Sequence, residues 1–194
     1  MKFDPINIET KRLTFTKLEN KDCDNLYEIY SNQKAMKYWS SLPFTQIKQA
    51  NKMIDNSIND WNNGIAISLG IYCKESQKLI GTVNLFNFHE ESKRAEIGYM
   101  LDPVYWGLGI MTETLIAIIE YLFKEMQFNR LEADIDPKNK KSASLLKNMG
   151  FKLEGKFKER WIVNGLVSDS EMYGLTKKEY LKQIKNLKLL NKEG

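Results

Sequence analysis

Backbone amides are the first candidates for chemistry in this chain. The run Tyr105-Trp106-Gly107-Leu108-Gly109-Ile110-Met111-Thr112-Glu113 passes from a strand-like stretch into a helix-like one, so N–H groups without an intrahelical partner converge where the helix begins. Such an end carries about half a positive charge and binds phosphate oxygens without a basic side chain. Gly107 and Gly109 let a ligand approach the backbone closely, the lesser reading being a simple tight turn. A Walker loop requires GxxxxGK[ST], and no Lys-Ser or Lys-Thr follows Gly107 at that spacing. The dinucleotide pattern comes nearer, because the loop leads to a helix and then to an acid-bearing strand, Leu131-Glu132-Ala133-Asp134. Its third glycine is Thr112 here, however, and the preceding strand belongs to an antiparallel meander. The roughly sixty residues that follow hold too few elements for the second half of a doubly wound sheet, so a NAD-type domain is disfavoured.

Side-chain chemistry is scarce. His89 is the single histidine, with no partner for a zinc quartet or a Ser-His-Asp relay, and Cys23 and Cys73 lie outside any CxxC spacing. No metal site and no disulfide framework are expected. The 194 residues suit one domain, 1–194, with a core of about 8–176 and a lysine-rich tail, 177–194. The net charge of +4 is too small and too dispersed to indicate nucleic acid. The first residues lack the apolar stretch of a secretory signal, and no run approaches the ~18 apolar residues of a membrane span. A soluble, cytoplasmic protein is expected, with no membrane partner.

Arg12 to Leu18 alternates as a short strand does, with Leu13, Phe15 and Lys17 on one face. Helical spacing at Leu26, Ile29 and Tyr30, and again at Ala50, Met53, Ile54, Ile58 and Trp61, predicts two helices, the second stopped by Asn63-Gly64. Strand-like runs follow at 65–73, 79–86 and 94–101, joined by short polar links that suit hairpins. Beyond the glycine loop, Leu115, Ile118, Ile119, Leu122, Phe123 and Met126 repeat at three and four, as in a helix. Arg130 to Ile135 reads as a strand. A short helix then carries Ala143, Leu145, Leu146 and Met149 and ends at Gly150-Phe151, which has the form of a Schellman stop. Runs 151–163 and 166–175 flank Asn164-Gly165, the strongest short hairpin signal in the chain. Six lysines in 177–194, with Leu181, Ile184 and Leu187 between them, read as a solvated amphipathic helix.

Together, the antiparallel meander, the A-E-I-G-Y strand (Ala95 to Tyr99), the Y-W-G-x-G loop and the stretch N-x-x-S-x-x-L-L-x-x-x-G-F-x-x-E-G (Asn139 to Gly155) resemble the GNAT N-acetyltransferases. The opening E-T-K-R-L-T-F and the hairpin ending N-G-x-x-x-D (Asn164 to Asp169) are most similar to its RimJ/RimL branch. The resemblance implies an α+β fold with a twisted, mostly antiparallel sheet of about seven strands, flanked by helices and splayed at an acetyl-CoA site. It also implies direct acetyl transfer to a primary amine, either a protein N-terminal α-amine or a small molecule.

Carried over by position, the family's (Q/R)-x-x-G-x-(G/A) loop falls on Trp106, Gly107, Leu108, Gly109, Ile110 and Met111, with Thr112 adding a hydroxyl. Gly109 matches. Trp106 stands for Gln or Arg, and Met111 replaces the small final residue, which puts bulk beside the phosphates. Asn139 and Ser142 match the family's pantetheine contacts, and either is also a helix cap. Lys138, Lys140, Lys141 and Lys147 around them suit a 3′-phosphate or an exposed helix face. By the resemblance, backbone donors of Tyr99, Met100 and Leu101 face the thioester, and Glu96 is the general base; its other reading is a strand-edge charge paired with Lys93 or Arg94. The family's tyrosine acid is missing, with Leu146 at its position, and Ser142 is the available substitute. Tyr38, Trp39 and Trp161 are candidate acceptor contacts, with Tyr30 and Phe44 as further walls and Glu159 as an attractor of cationic amines. Met111 and Leu146 together motivate an alternative, a non-catalytic CoA-binding regulator. A homodimer is an open expectation for so aromatic a surface.

Overall fold

In the computed structural model, which describes residues 3–190, the predicted alternation of Arg12 to Leu18 becomes strand β2. The first strand, β1 (Ile8–Glu9), adds a two-residue edge that the apolar pattern is too short to announce. β2 (Leu13–Lys17) buries Leu13 and Phe15 completely. Three helices come next: α1 (Cys23–Ser31), α2 (Gln33–Met36) and α3 (Lys48–Asn63). The short α2 lacks a periodic stripe and was not expected; Asn32 starts it by accepting the Lys34 and Ala35 N–H groups. β3 (Ile67–Cys73), β4 (Leu79–His89) and β5 (Arg94–Leu101) form the expected meander, β4 running past its predicted end at 86. Then follow α4 (Ile110–Lys124), β6 (Arg130–Ile135), α5 (Lys140–Asn148), β7 (Lys152–Val163), β8 (Leu166–Thr176) and α6 (Lys177–Leu190). The last four residues of the lysine-rich tail lie outside the described residues.

The eight strands form one sheet in the order β1-β2-β3-β4-β5-β6-β8-β7. All neighbours are antiparallel except β5 and β6. The α5 stop has the Schellman geometry that the sequence suggests: Phe151 N–H bonds the Leu146 carbonyl and Gly150 N–H that of Lys147, both at 3.0 Å. Asn164 and Gly165 both take positive φ, 49° and 74°, as a type I′ hairpin turn needs.

Period-two alternation decides which strand residues meet which helices. On β4, Val83 enters the main core with α4 residues such as Leu115 and Ile118, whereas neighbouring Thr82 meets the Tyr30 hydroxyl of α1 at 2.8 Å. On β5, Ala95 and Ile97 join the main core, so Glu96 faces the other side, where Met100 packs with Leu26, Ile29 and Ile54. Leu131 and Ala133 of β6 likewise enter the main core, which turns Glu132 and Asp134 to the side of Glu96.

Candidate active site

β5 and β6 pair over only three positions, Arg94 with Arg130, Ala95 with Leu131 and Glu96 with Glu132. Beyond Glu96 each strand bonds only its outer neighbour, so the sheet opens into a V and the β5 N–H groups on the open edge face the gap. The closed end is held by charge. Glu132 accepts from Arg94 Nη1 at 2.5 Å and from Arg130 Nε at 2.8 Å, and Arg130 also grips Glu154 of β7. Burial pushes the Glu132 pKa up, but the two guanidiniums outweigh it and hold the carboxyl below the usual range.

Two cavities meet in the V. One, of about 800 Å³, is lined by the loop residues Gly107, Gly109, Ile110, Met111 and Thr112 and by five lysines at 34, 37, 138, 140 and 141. The other, of about 460 Å³, holds Glu96, Asp134, Asp136, Asp169, Arg160 and Trp161. Tyr38, Trp39, Tyr99, Asn139 and Ser142 line both and form the junction.

In the larger cavity, Gly107 and Gly109 take φ of 77° and 73°, the left-handed region that an L side chain adopts only with strain. Gly109 caps α4, and the first helical bond runs from Glu113 N–H to its carbonyl at 3.0 Å. The N–H groups of Ile110, Met111 and Thr112 precede that bond and are the orphan donors of the helix start. Residues of the turn between β1 and β2 brace this loop: Arg12 Nη1 donates to the Leu108 carbonyl at 2.9 Å, and Arg12 and Thr10 both bond Glu113. Burial works against the Glu113 charge, yet these donors keep its pKa low, so the loop is held without a free anion at the helix start.

Trp106 donates its indole N–H to the Leu101 carbonyl at 3.0 Å, and its ring lies 5.4 Å from the Lys141 ammonium. Met111 is half-buried and packs on the main core, so part of its bulk is directed away from the loop. Leu108 does not line the cavity; its side chain is exposed.

At the junction, Asn139 caps α5 by accepting the Ser142 N–H at 3.1 Å. Capping and cavity lining are therefore served by the same residues. The Ser142 hydroxyl, buried, sits 2.7 Å from the Tyr99 hydroxyl. Burial, opposed by that bond, pushes the Tyr99 pKa up to about 12, so its proton stays on throughout the neutral range. Leu146 is fully buried in the main core, and a tyrosine there would have no room without repacking.

In the smaller cavity, Glu96 Oε2 accepts from Asn87 Nδ2 at 2.9 Å. Asn87 sits at φ 52° in the irregularity where β4 loses register between Phe86 and His89, which turns its amide back toward Glu96. Burial raises the Glu96 pKa; Asn87 and Arg160 oppose that, while Asp134 and Glu132 add to it, and the net shift is upward. Trp161 Nε1 donates to Asp134 Oδ2 at 3.3 Å.

Glu96, Ser142, Asn139, Tyr38, Trp39 and Trp161 are thus brought together, and Met100 and Leu101 line the larger cavity. Tyr30 and Phe44 instead stack on each other at 5.3 Å in the smaller core, Lys147 lines neither cavity, and Glu159 points its backbone, not its carboxylate, at a site residue. Asn87, Arg160, Lys34 and Lys37 were not singled out from the sequence. Tyr99 was named there only for its backbone and as the last residue of the A-E-I-G-Y strand, and Asp134 only as an acid of the strand that follows α4.

Residues 12–152 match the family model of the acetyltransferase (GNAT) domain. The uncharacterized N-acetyltransferase p20 of Bacillus licheniformis is 37% identical over 172 residues, 88% of this chain and 96% of that one. The [ribosomal protein uS5]-alanine N-acetyltransferase of Escherichia coli (strain K12) is 27% identical over 178 residues, 88% of this chain and 91% of its own. Among solved structures, spermidine N-acetyltransferase from Vibrio cholerae, in complex with CoA and spermine, superposes with a TM-score of 0.78 at 22% identity, covering 89% of this chain and 99% of that one.

Proposed function

The chain belongs to the GNAT acetyltransferase family, in its RimJ/RimL-like branch, and transfers acetyl to an amine; we propose that it draws the acetyl group from acetyl-CoA bound in the larger cavity and passes it to an amine in the smaller one. The observation that carries this reading is the pair of cavities meeting at Tyr99, Asn139 and Ser142 inside the splayed strands. The larger cavity suits such a donor. Orphan N–H groups of Ile110, Met111 and Thr112 offer bonds to pyrophosphate oxygens, and five lysines supply positive charge for a nucleotide phosphate. Acetyl-CoA, when bound, supplies the thioester carbonyl carbon that the amine attacks.

The protein's own groups then have three tasks. Glu96, ionised, takes the proton the amine must lose, directly or through one water. A β5 N–H on the open edge, that of Tyr99 or Leu101 rather than of Met100, which is directed at β4, is a donor for the charge that develops on the carbonyl oxygen; one such donor contributes about 3 kcal/mol. Ser142 would give its hydroxyl proton to the departing sulfur and regain one from Tyr99, which is reprotonated in turn from solvent in the cavities it lines, and the pair would so take over the task of the tyrosine absent at position 146. A thiol of pKa near that of cysteine, about 8.5, leaves readily, so this help is modest.

Those two relatives are named for an alanine of ribosomal protein uS5 and for spermidine, respectively, and a protein α-amine and a small amine are both proposed acceptor classes. The test is CoA release across a panel of peptides and amines, with melting temperature measured alongside. Stabilisation by CoA with turnover supports the enzyme. Stabilisation with no turnover on any amine supports a non-catalytic CoA-binding regulator, and no stabilisation by any acyl-CoA refutes both.

A further inference from the structure

We propose that Asp134 forms a cation subsite in the acceptor cavity, held in the free enzyme by the chain's own Arg160, and that an acceptor carrying a second cationic group binds by taking Arg160's place. This rests on the reading of the smaller cavity as the acceptor site.

Asp134 stands on β6 beyond the last β5 pair, facing the same side as Glu96. Its side chain is only 5% exposed. Oδ2 accepts from Arg160 Nε at 2.8 Å and from Trp161 Nε1 at 3.3 Å. Oδ1 is buried and has no hydrogen-bond partner among the described residues. A buried carboxylate oxygen left unpaired is costly, and a second donor placed there would be favourable.

Consecutive strand residues normally point to opposite faces, yet Arg160 and Trp161 both reach this one carboxylate. The cause is local. β7 loses register between Phe157 and Trp161, Glu159 takes φ 54°, and its N–H is fixed to Asp169 Oδ1 at 2.9 Å. The irregular strand thus folds two neighbouring side chains over Asp134. β7 itself buries no residue along its whole length, so few contacts oppose lifting this segment.

The other acids of the cavity are engaged differently. Asp136 Oδ1 accepts the Lys138 N–H, Asp169 the Glu159 N–H and Glu96 the Asn87 amide, all neutral donors. Among the described residues, Asp134 is the one of these acids whose hydrogen-bond partners include a cation. Stripping a buried carboxylate of its counter-charge is strongly unfavourable, so Arg160 leaves readily only in exchange for another cation. An incoming ammonium has three donors and can satisfy both oxygens. A monoamine cannot fill this subsite and present its nitrogen for acetylation at once.

The experiment compares n-butylamine with 1,3-diaminopropane, 1,4-diaminobutane and 1,5-diaminopentane in wild type, Asp134→Asn and Arg160→Gln, with folding checked by circular dichroism. KM from CoA release and binding by calorimetry are both measured. In wild type, at least one diamine should bind about 10- to 100-fold tighter than butylamine, the range of a charged hydrogen bond. Asp134→Asn should bring that ratio close to one, and Arg160→Gln should tighten diamine binding further by removing the competitor. No preference in wild type, or a preference that survives Asp134→Asn, overturns the proposal. If Asp134→Asn does not fold, Arg160→Gln decides: tighter diamine binding supports the subsite, and unchanged or weaker binding refutes it. If none of these four amines is acetylated, they are not acceptors of this enzyme, and calorimetry with the same amines still decides the subsite.

Discussion

Tyr99→Phe removes one oxygen from the junction of the two cavities and leaves the ring in place. The Ser142 hydroxyl, 2.7 Å away and buried, then has no partner to restore the proton it gives to sulfur. General acid–base help is typically worth ~10²–10⁴ in rate. A leaving thiol of pKa about 8.5 needs little protonation, which puts the effect near the lower end, a loss of about 10² in kcat, or about 2.7 kcal/mol of barrier. Losing the buried hydrogen bond should also cost about 1 kcal/mol of stability, a few degrees in Tm for a chain of this size. Rates should be read on acetyl thioesters whose thiols span a range of acidity. If Tyr99 and Ser142 act as the acid, the variant loses most with basic thiols and least with acidic ones. Ser142→Ala should give the same slope, and the double variant should be no slower than either single one, because the two hydroxyls act as a unit. An equal loss with every thiol, or losses that add, would refute the relay.

Glu96→Gln should lower kcat/KM at neutral pH by about 10² and approach wild type as pH rises and the amine loses its own proton. In wild type the acid limb should lie above pH 4.5, because burial raises the Glu96 pKa and protonation below it removes the base; a variant with the same limb would acquit Glu96. Leu146→Tyr should not improve turnover and should lower stability by about 1–3 kcal/mol in a denaturant titration, since position 146 is fully buried in the core. Glu132→Gln removes the carboxylate shared by Arg94 and Arg130 and should cost about 1–3 kcal/mol at pH 7. Because the folded pKa of Glu132 lies below 4.5, its contribution is present above that pH and lost as pH falls through the folded value. The gap between wild type and variant, followed by denaturant titration at several pH values, should therefore close in acid.

Much of the scaffold could be read from local pattern. The alternation of Leu13 and Phe15, the Gly150-Phe151 stop and the Asn164-Gly165 turn each depend on neighbouring residues, and each appears as expected. The glycine loop was legible for the same reason, since a helix start presents free N–H groups whatever its surroundings. The rest depended on contacts between distant positions. Tyr99 meets Ser142 across 43 residues, and Lys34 and Lys37 reach the cleft from a helix too short to show periodicity. Asn87 and Arg160 act through strand irregularities at 86–89 and 157–161, which carry no apolar signature. The sequence places Met111 as bulk beside the phosphates because its direction is set by how α4 packs, and it packs in part against the core.

The most direct measurement is a single turnover with acetyl-CoA labelled in the acetyl group, enzyme in excess, and a panel of peptide and small amines, following free thiol, acetamide and the mass of the protein together. Direct transfer predicts one thiol released per acetamide formed, at one rate, with no acetyl left on the chain at any time. Thiol release without acetamide, an acetylated protein that later passes its label to the amine, or binding with no chemistry on any acceptor would contradict it.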